Sequence, residues 1–391
     1  MSYPREKLKN FIDVLSGFAF KSKDFTSAGV PVIKIKNVTP PTVTLDDLSY
    51  VSKEIAQAQN RFLLNYDDVL IALTGSHINQ MASVVGRVAR VRHQTPSLLN
   101  QRVGKITVIN PDEMDLDYVY YYLSQDLIKI QLASKAGGAA NQANISPSDV
   151  KNLDIPFPDI DVQRRISGIL SAYDNLIENN QKQIKLLEEA ARRLYKEWFV
   201  DLRFPGYEDT PIVDGVPEGW ADGTLGDIAV FKRGKTITKA QVSDGNIPVV
   251  AGGLEPAYYH NKANTTAPLI TVSASGANAG FTRLYNIDVF ASDCSYIDSN
   301  STPFLLFVYC FLKTNAMKLN SLQKGSAQPH VYAKDLNALV LSVPNEGVLT
   351  AFCGTVSPYF ERIRLLQREN EIAAQSRDRL LPKLMSGEIE V

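Results

Sequence analysis

A chain of 391 residues is too long for one compact core and calls for two or more domains, while 45% hydrophobic and 21% charged residues make an ordinary globular mixture. The net charge of −1 argues against a chain that grips nucleic acid by bulk charge; DNA contact would need local patches or a partner. No apolar run approaches the roughly 18 residues of a membrane span and MSYPREKLKN lacks the pattern of a signal peptide, so a cytoplasmic, non-membrane location is expected.

Residues 1–155 read as a first globule. An amphipathic start leads to glycine punctuation at Gly17 and Gly29 and an alternating run from Val30 to Val38, which predicts a strand. Asp67–Leu73 and Ala82–Val91 are further strand candidates, with Thr74–Gln80 as the loop between them. Leu116–Ser134 reads as one helix from its Tyr118, Tyr122, Ile128 and Leu132 spacing, and a Gly/Ala loop then runs on to LDIPFP. Strands mixed with one or two helices predict an α+β domain.

Residues 156–202 follow as a long helix. From Ile166 through Leu170, Tyr173, Ile177, Asn180, Ile184, Leu187, Ala191 and Leu194 to Trp198 the apolar steps alternate 3 and 4, a heptad seam. The linker 203–219 is broken by Pro205, Gly206, Pro211, Gly215, Pro217 and Gly219. A second globule, 220–345, repeats the order of the first: Gly234 and Pro248 answer Gly17 and Pro31, LITVSASG answers VLIALTG, and FLLFVYCFLKTNAMKL answers the tyrosine-rich helix. A second long helix, 346–391, repeats the heptads 186 positions later, with Phe352, Val356, Tyr359, Ile363, Leu366, Asn370, Ala373 and Leu384 on its seam. The chain is a tandem duplication of globule plus helix. Pro358 and Pro382 predict a second helix broken into segments.

If the helices pair antiparallel with residue numbers summing to 550, Ile166 meets Leu384, Trp198 meets Phe352, and the two polar seam residues, Asn180 and Asn370, meet each other. A paired asparagine would set the register, because any slip leaves each amide without a partner.

Catalytic patterns are missing: there is no HExxH, GxSxG or CxxC, and RGKT at Arg233–Thr236 lacks the upstream glycine of a phosphate loop. Cys294, Cys310 and Cys353 have no metal-ligand spacing and read as reduced thiols. No active site and no metal are therefore expected. What remains is binding chemistry: between Met81 and Asn110 no acidic residue occurs, while Arg87, Arg90, Arg92, Arg102 and Lys105 do, and Lys232, Arg233, Lys235 and Lys239 gather in the second globule. Arg and Lys anchor phosphates, and Arg, Asn and Gln read base edges.

Several segments, in order, resemble the specificity subunit of type I restriction-modification systems: LLNQRVGKI at Leu98, IPFPDIDVQRRISGILSAYDNLIENN at Ile155, LYKEWFVDLRFPG at Leu194, WADGTLGDIAVFKRGKTI at Trp220 and RLLPKLMSGEIEV at Arg379. The second helix departs from that pattern at PNEGVLTAF, which has no QRRI. The resemblance implies two similar target recognition domains in tandem, each followed by a long helix, with the helices forming an antiparallel coiled coil. It implies that each domain reads one half of a bipartite, asymmetric site on double-stranded DNA. The helices would set the unread spacer and dock two modification subunits, adenine methyltransferases that carry S-adenosylmethionine; a restriction subunit would add translocation and cleavage. No cofactor is implied on this chain.

The resemblance supplies no universal base-contact motif, so candidate DNA contacts rest on position and chemistry. They are Thr74, Ser76, His77 and Gln80 in the first loop; Arg87, Arg90 and Arg92 beside it; Lys232, Arg233 and Lys235; Ser273, Ser275 and Asn278 in the counterpart loop; and Gln142, Gln328 and His330 in the later loops. A second reading, a scaffold whose two globules bind protein rather than DNA, stays open at this point.

Overall fold

The computed structural model describes residues 3–137, 142–323 and 329–391. By internal contacts the chain forms two compact units, Met1–Ile177 with Glu371–Val391, and Glu178–Asn370. Each long helix is thus divided between them: Ile160–Phe199 and Glu346–Ser386 each give one end to either unit.

In the first unit a six-stranded sheet runs in the order Ile12–Ser16, Val103–Val108, Val69–Ala72, Val88–Arg90, Thr42–Val43, Val38–Thr39. Its central strand Val69–Ala72 is buried along its whole length, as a continuous apolar run should be. A second sheet has the order Phe25–Thr26, Ser49–Val51, Val30–Ile33, Ser97–Leu99, Leu63–Leu64. The alternating run from Val30 is shorter than its pattern, because the chain turns at Ile35–Asn37, where the Asn37 side chain accepts the Lys34 backbone N–H at 3.1 Å. Residues 78–83 also turn, so the strand expected from Ala82 begins only at Val88.

The expected tyrosine helix is two helices, Leu116–Ser124 and Asp126–Lys135, separated by an extended Gln125. The Gln125 side chain donates to the Tyr122 carbonyl at 3.2 Å, a local bond that competes with continuing the helix. The second unit repeats this break. Leu305–Thr314 and Ala316–Ser321 part at Asn315, whose Nδ2 donates to the Phe311 carbonyl at 2.9 Å.

The second unit repeats the first in reduced form. A four-stranded sheet has the order Lys232–Arg233, Cys294–Asp298, Leu269–Ser273, Thr282–Tyr285, and a three-stranded one Tyr258–His260, Ile247–Val250, Phe290–Ala291. The same parallel pairing occurs in both units, Val30–Ile33 with Ser97–Leu99 and Ile247–Val250 with Phe290–Ala291. The matching glycines have a steric cause: a Cβ on Gly17 would lie 2.3 Å from the Asn100 carbonyl oxygen, and one on Gly234 2.3 Å from that of Ser292.

Within the first unit, Ile166 and Leu170 share a buried core with Leu381, Leu384 and Met385, and Asp174 forms an ion pair with Arg377. Within the second, Trp198 packs edge-on against Phe352 at 5.7 Å, and Asn180 donates to Glu369 at 2.8 Å. Each segment pair runs antiparallel, as expected, close to the register summing to 550. The expected amide pair is replaced: Asn180 takes the carboxylate of Glu369, a stronger charge-assisted acceptor than an amide, and the Asn370 Oδ1 is buried without a hydrogen-bond partner. The second helix is also continuous through Pro358 and Pro382. The carbonyl that loses its donor to Pro358 belongs to Gly354, which is exposed and carries no side chain to crowd the ring.

Candidate nucleic-acid interface

A strand pair in the first unit, and a single β-bridge at the matching place within the second, each bring candidate loops of that unit together. In the first, Thr74–Gly75 pairs antiparallel with Ala143–Asn144. The Thr74 hydroxyl is buried and donates to Asn144 Oδ1 at 2.7 Å, and the exposed Arg102 places Nη1 3.0 Å from the same oxygen and 3.3 Å from Thr74 Oγ1. The Ile145 N–H bonds the Leu73 carbonyl and the Leu73 N–H bonds the Arg102 carbonyl, closing the corner.

In the second unit Ser275 bridges His330, Val331 N–H bonds the Ala274 carbonyl, and Ala274 N–H bonds the Asp293 carbonyl. The two bond patterns superpose residue for residue: Leu73 on Ala274, Thr74 on Ser275, Arg102 on Asp293, Asn144 on His330. The Ser275 hydroxyl donates to the Asp293 carboxylate, and Arg233 approaches that carboxylate at 3.9 Å. The His330 ring stacks on the exposed Tyr332, centroids 5.8 Å apart and planes 9° from parallel.

The remaining candidates divide by exposure. Ser76 bonds the Gln80 carbonyl at 2.8 Å and the Ser83 hydroxyl at 2.9 Å, shaping a turn that leaves Gln80 exposed and His77 half-buried. Gln142 is exposed beside this corner. Ser273, buried, and Asn278 both donate to the Gly252 carbonyl, at 3.1 and 3.4 Å, and so hold the loop rather than present themselves. Lys232, Arg233 and Lys235 are exposed on an edge strand and its continuation. Gln328 lies outside the described residues.

The candidate arginines of the first unit, Arg87, Arg90 and Arg92, are at least partly buried. Arg90 is 5% exposed, bonds Asp117 at 2.6 Å and lies 4.2 Å over the Tyr120 ring. Arg87 donates to the Ala82 carbonyl at 3.0 Å, and burial lowers its pKa from the usual arginine value. Arg92 forms an ion pair with Asp67 at 2.6 Å, and Lys105 one with Asp68 at 2.6 Å. The acidic-free stretch from Met81 to Asn110 is thus neutralised in part by carboxylates at 67, 68 and 117, outside the stretch itself. Sequence reasoning missed Asn144 and Asp293, and counted Arg102 only as a charge. The signal was the duplication, but the offset between matching residues shrinks along the chain, and a single shift of 186 does not align Arg102 with Asp293.

Among the described residues no group of three or more His, Cys, Asp or Glu side chains could hold a metal ion, and the three cysteines are free. No helix among them is long and apolar enough to cross a membrane.

Comparison with known proteins bears on both units. The chain is 25% identical to the type I restriction enzyme MjaIX specificity subunit of Methanocaldococcus jannaschii, over 99% of this chain and 93% of that protein. It is 27% identical to the putative type I specificity subunit S.MpnORF638P of Mycoplasma pneumoniae, over 71% of this chain and 75% of that one. Its fold matches the crystal structure of a type I restriction-modification system S subunit from M. genitalium with a TM-score of 0.57 at 19% identity, covering 98% of this chain and 96% of that chain. The model of the type I restriction modification DNA specificity domain matches twice, at residues 5–189 and 217–370, so the chain belongs to the type I restriction-modification DNA specificity subunits and carries their domain in tandem.

Proposed function

We propose that this chain is the non-catalytic, sequence-reading subunit of a cytoplasmic type I restriction-modification complex. Each of its two domains reads one half of a bipartite, asymmetric DNA site, and the helices set the unread spacer and dock two adenine-methylating modification subunits that carry S-adenosylmethionine. A restriction subunit joins where the system cleaves. One observation carries the reading: the family domain occurs twice, each copy closing the same corner of loops with different side chains, Thr74, Arg102 and Asn144 in one and Ser275, Asp293 and His330 in the other. A duplicated frame with altered donors and acceptors suits recognition of two unlike half-sites. The net charge of −1 suits a subunit whose partners supply further phosphate contacts.

Methylome sequencing of a host that lacks its own methylation and co-expresses this chain with its modification subunits tests the proposal. The expected result is one two-part motif with an unread gap, absent when this chain is omitted. Methylation independent of this chain, or a continuous motif, would overturn it.

A further inference from the structure

We infer that the matching positions Arg102 and Asp293 read one base pair in each half-site with opposite chemistry, Arg102 presenting donors to a guanine and Asp293 an acceptor to the amino group of a cytosine. The inference rests on the reading that both domains contact DNA, and adds which side chains discriminate and what they discriminate.

Position comes first. The two residues occupy one place in the duplicated frame, each giving its carbonyl to the N–H of the residue before the corner hydroxyl, Leu73 before Thr74 and Ala274 before Ser275. Each side chain is then tied by that hydroxyl: Arg102 Nη1 donates to Thr74 Oγ1, and Asp293 Oδ2 accepts from Ser275 Oγ. The sign of the group held there is reversed between the units, while the hydroxyl that ties it is kept.

Arg102 differs in its partners from the ion-paired arginines of its unit. Arg90, Arg92 and Arg377 each face a carboxylate, at Asp117, Asp67 and Asp174. Arg102 is held by a hydroxyl and an amide oxygen, which orient the guanidinium without neutralising it. One nitrogen is engaged, and among the described residues the rest of the fork meets no protein acceptor. A planar fork held at one end and free at the other matches the O6 and N7 acceptors of guanine, the pairing that arginine makes best in the major groove.

Asp293 is hydrogen-bonded on one oxygen only. Its Oδ1 makes a long ion pair with Arg233 at 3.9 Å, beyond hydrogen-bond distance, and the carboxylate is 35% exposed. A carboxylate fixed by a neutral hydroxyl accepts from the cytosine N4 amino group and repels the guanine O6 and N7 edge. The nearby Arg233, 63% exposed, keeps enough positive charge at this corner for a carboxylate to approach DNA.

The test compares R102A, R102K, D293N and the unaltered chain, each in complex with the modification subunits, by methylome sequencing, then by competition binding with duplexes varied at each motif position. R102K retains the charge without the fork, and D293N retains an oxygen for Ser275. The expected result is that R102A and R102K each lose about ten- to hundredfold discrimination at one position, a guanine, of one half-site and leave the other half-site unchanged. D293N shifts one cytosine of the other half-site toward adenine, because an amide pairs with the adenine N6 and N7. If the variants methylate the original motif with every position intact, or if R102A weakens all duplexes equally while R102K restores them, the inference is overturned and Arg102 is a phosphate anchor. If the unaltered complex yields no bipartite motif, the proposed function fails as well, which separates the two failures.

Discussion

At the scale of single residues, Gln163 shows how a motif residue can serve the fold rather than a partner. It is fully buried: Oε1 accepts the Asp115 N–H at 3.0 Å, and Nε2 donates to the carbonyls of Glu113 at 3.1 Å and Pro158 at 2.9 Å. It therefore ties the start of the central helix to the loop that caps the tyrosine helix, where Asp115 accepts the Tyr118 N–H at 2.8 Å. Replacing Gln163 with alanine strands an N–H and two carbonyls, each costing about 1–3 kcal/mol when buried, so Q163A should lower the unfolding free energy by about 3 kcal/mol. Urea unfolding monitored by circular dichroism measures this, and an unchanged midpoint would refute it. The second long helix has Leu349 at the place 186 positions on, also buried, so the packing position of Gln163 is filled there by an apolar group. Which charged residues would face a ligand was less legible. Arg87, Arg90 and Arg102 look alike in sequence, and only partners 5, 27 and 42 residues away decide that two are held inside and one is presented.

At the scale of elements, Leu116–Ser124 couples its neighbours through phenols. Tyr118 and Tyr122, one turn apart, donate to the carbonyls of Pro156 at 3.0 Å and Asp154 at 2.9 Å, and Tyr121 donates to Asp174 at 2.6 Å. Burial pushes the Tyr122 phenol up to about 12; burial, reinforced by the Asp174 carboxylate, raises Tyr121 further, and burial raises Tyr118 too. Because the folded values lie above the unfolded value of about 10, these phenols favour the folded state fully below pH ~10 and lose that contribution as pH rises through 10 to 12. Thermal melts from pH 8 to 12, with tyrosinate absorbance in parallel, should show stability falling only above pH 10, and ionisation of these tyrosines coinciding with unfolding. A flat melting temperature through pH 12 would contradict it. The existence of this helix was legible from its apolar spacing, whereas its break at Gln125 was not, since one side-chain bond to Tyr122 competes with a favourable helical pattern.

At the scale of the whole molecule, the duplication and the charge balance govern what the chain can do alone. With 41 basic and 42 acidic residues the chain has no net positive charge, and several of the basic ones are paired within their own unit. On the proposed function, DNA binding by the isolated chain should be weak and should fall steeply as salt rises from 50 to 200 mM, while the complex with modification subunits retains sequence-specific binding. Fluorescence anisotropy on duplexes with and without the motif measures both. Tight motif-specific binding by the chain alone at physiological salt would count against a partner-dependent grip. By itself the sequence determined the tandem order of globule and helix, the antiparallel register to within a residue, the recurrence of Gly17 at Gly234 and the free thiols. Each of these follows from periodicity, spacing or steric need, which are properties of neighbouring positions. Only the tertiary structure decided that Asn180 takes Glu369, that Arg90 is enclosed, and that Arg102 and Asp293 share one position in two frames. A polar side chain is assigned by the partners that folding brings to it, and those lie tens of residues away in the chain.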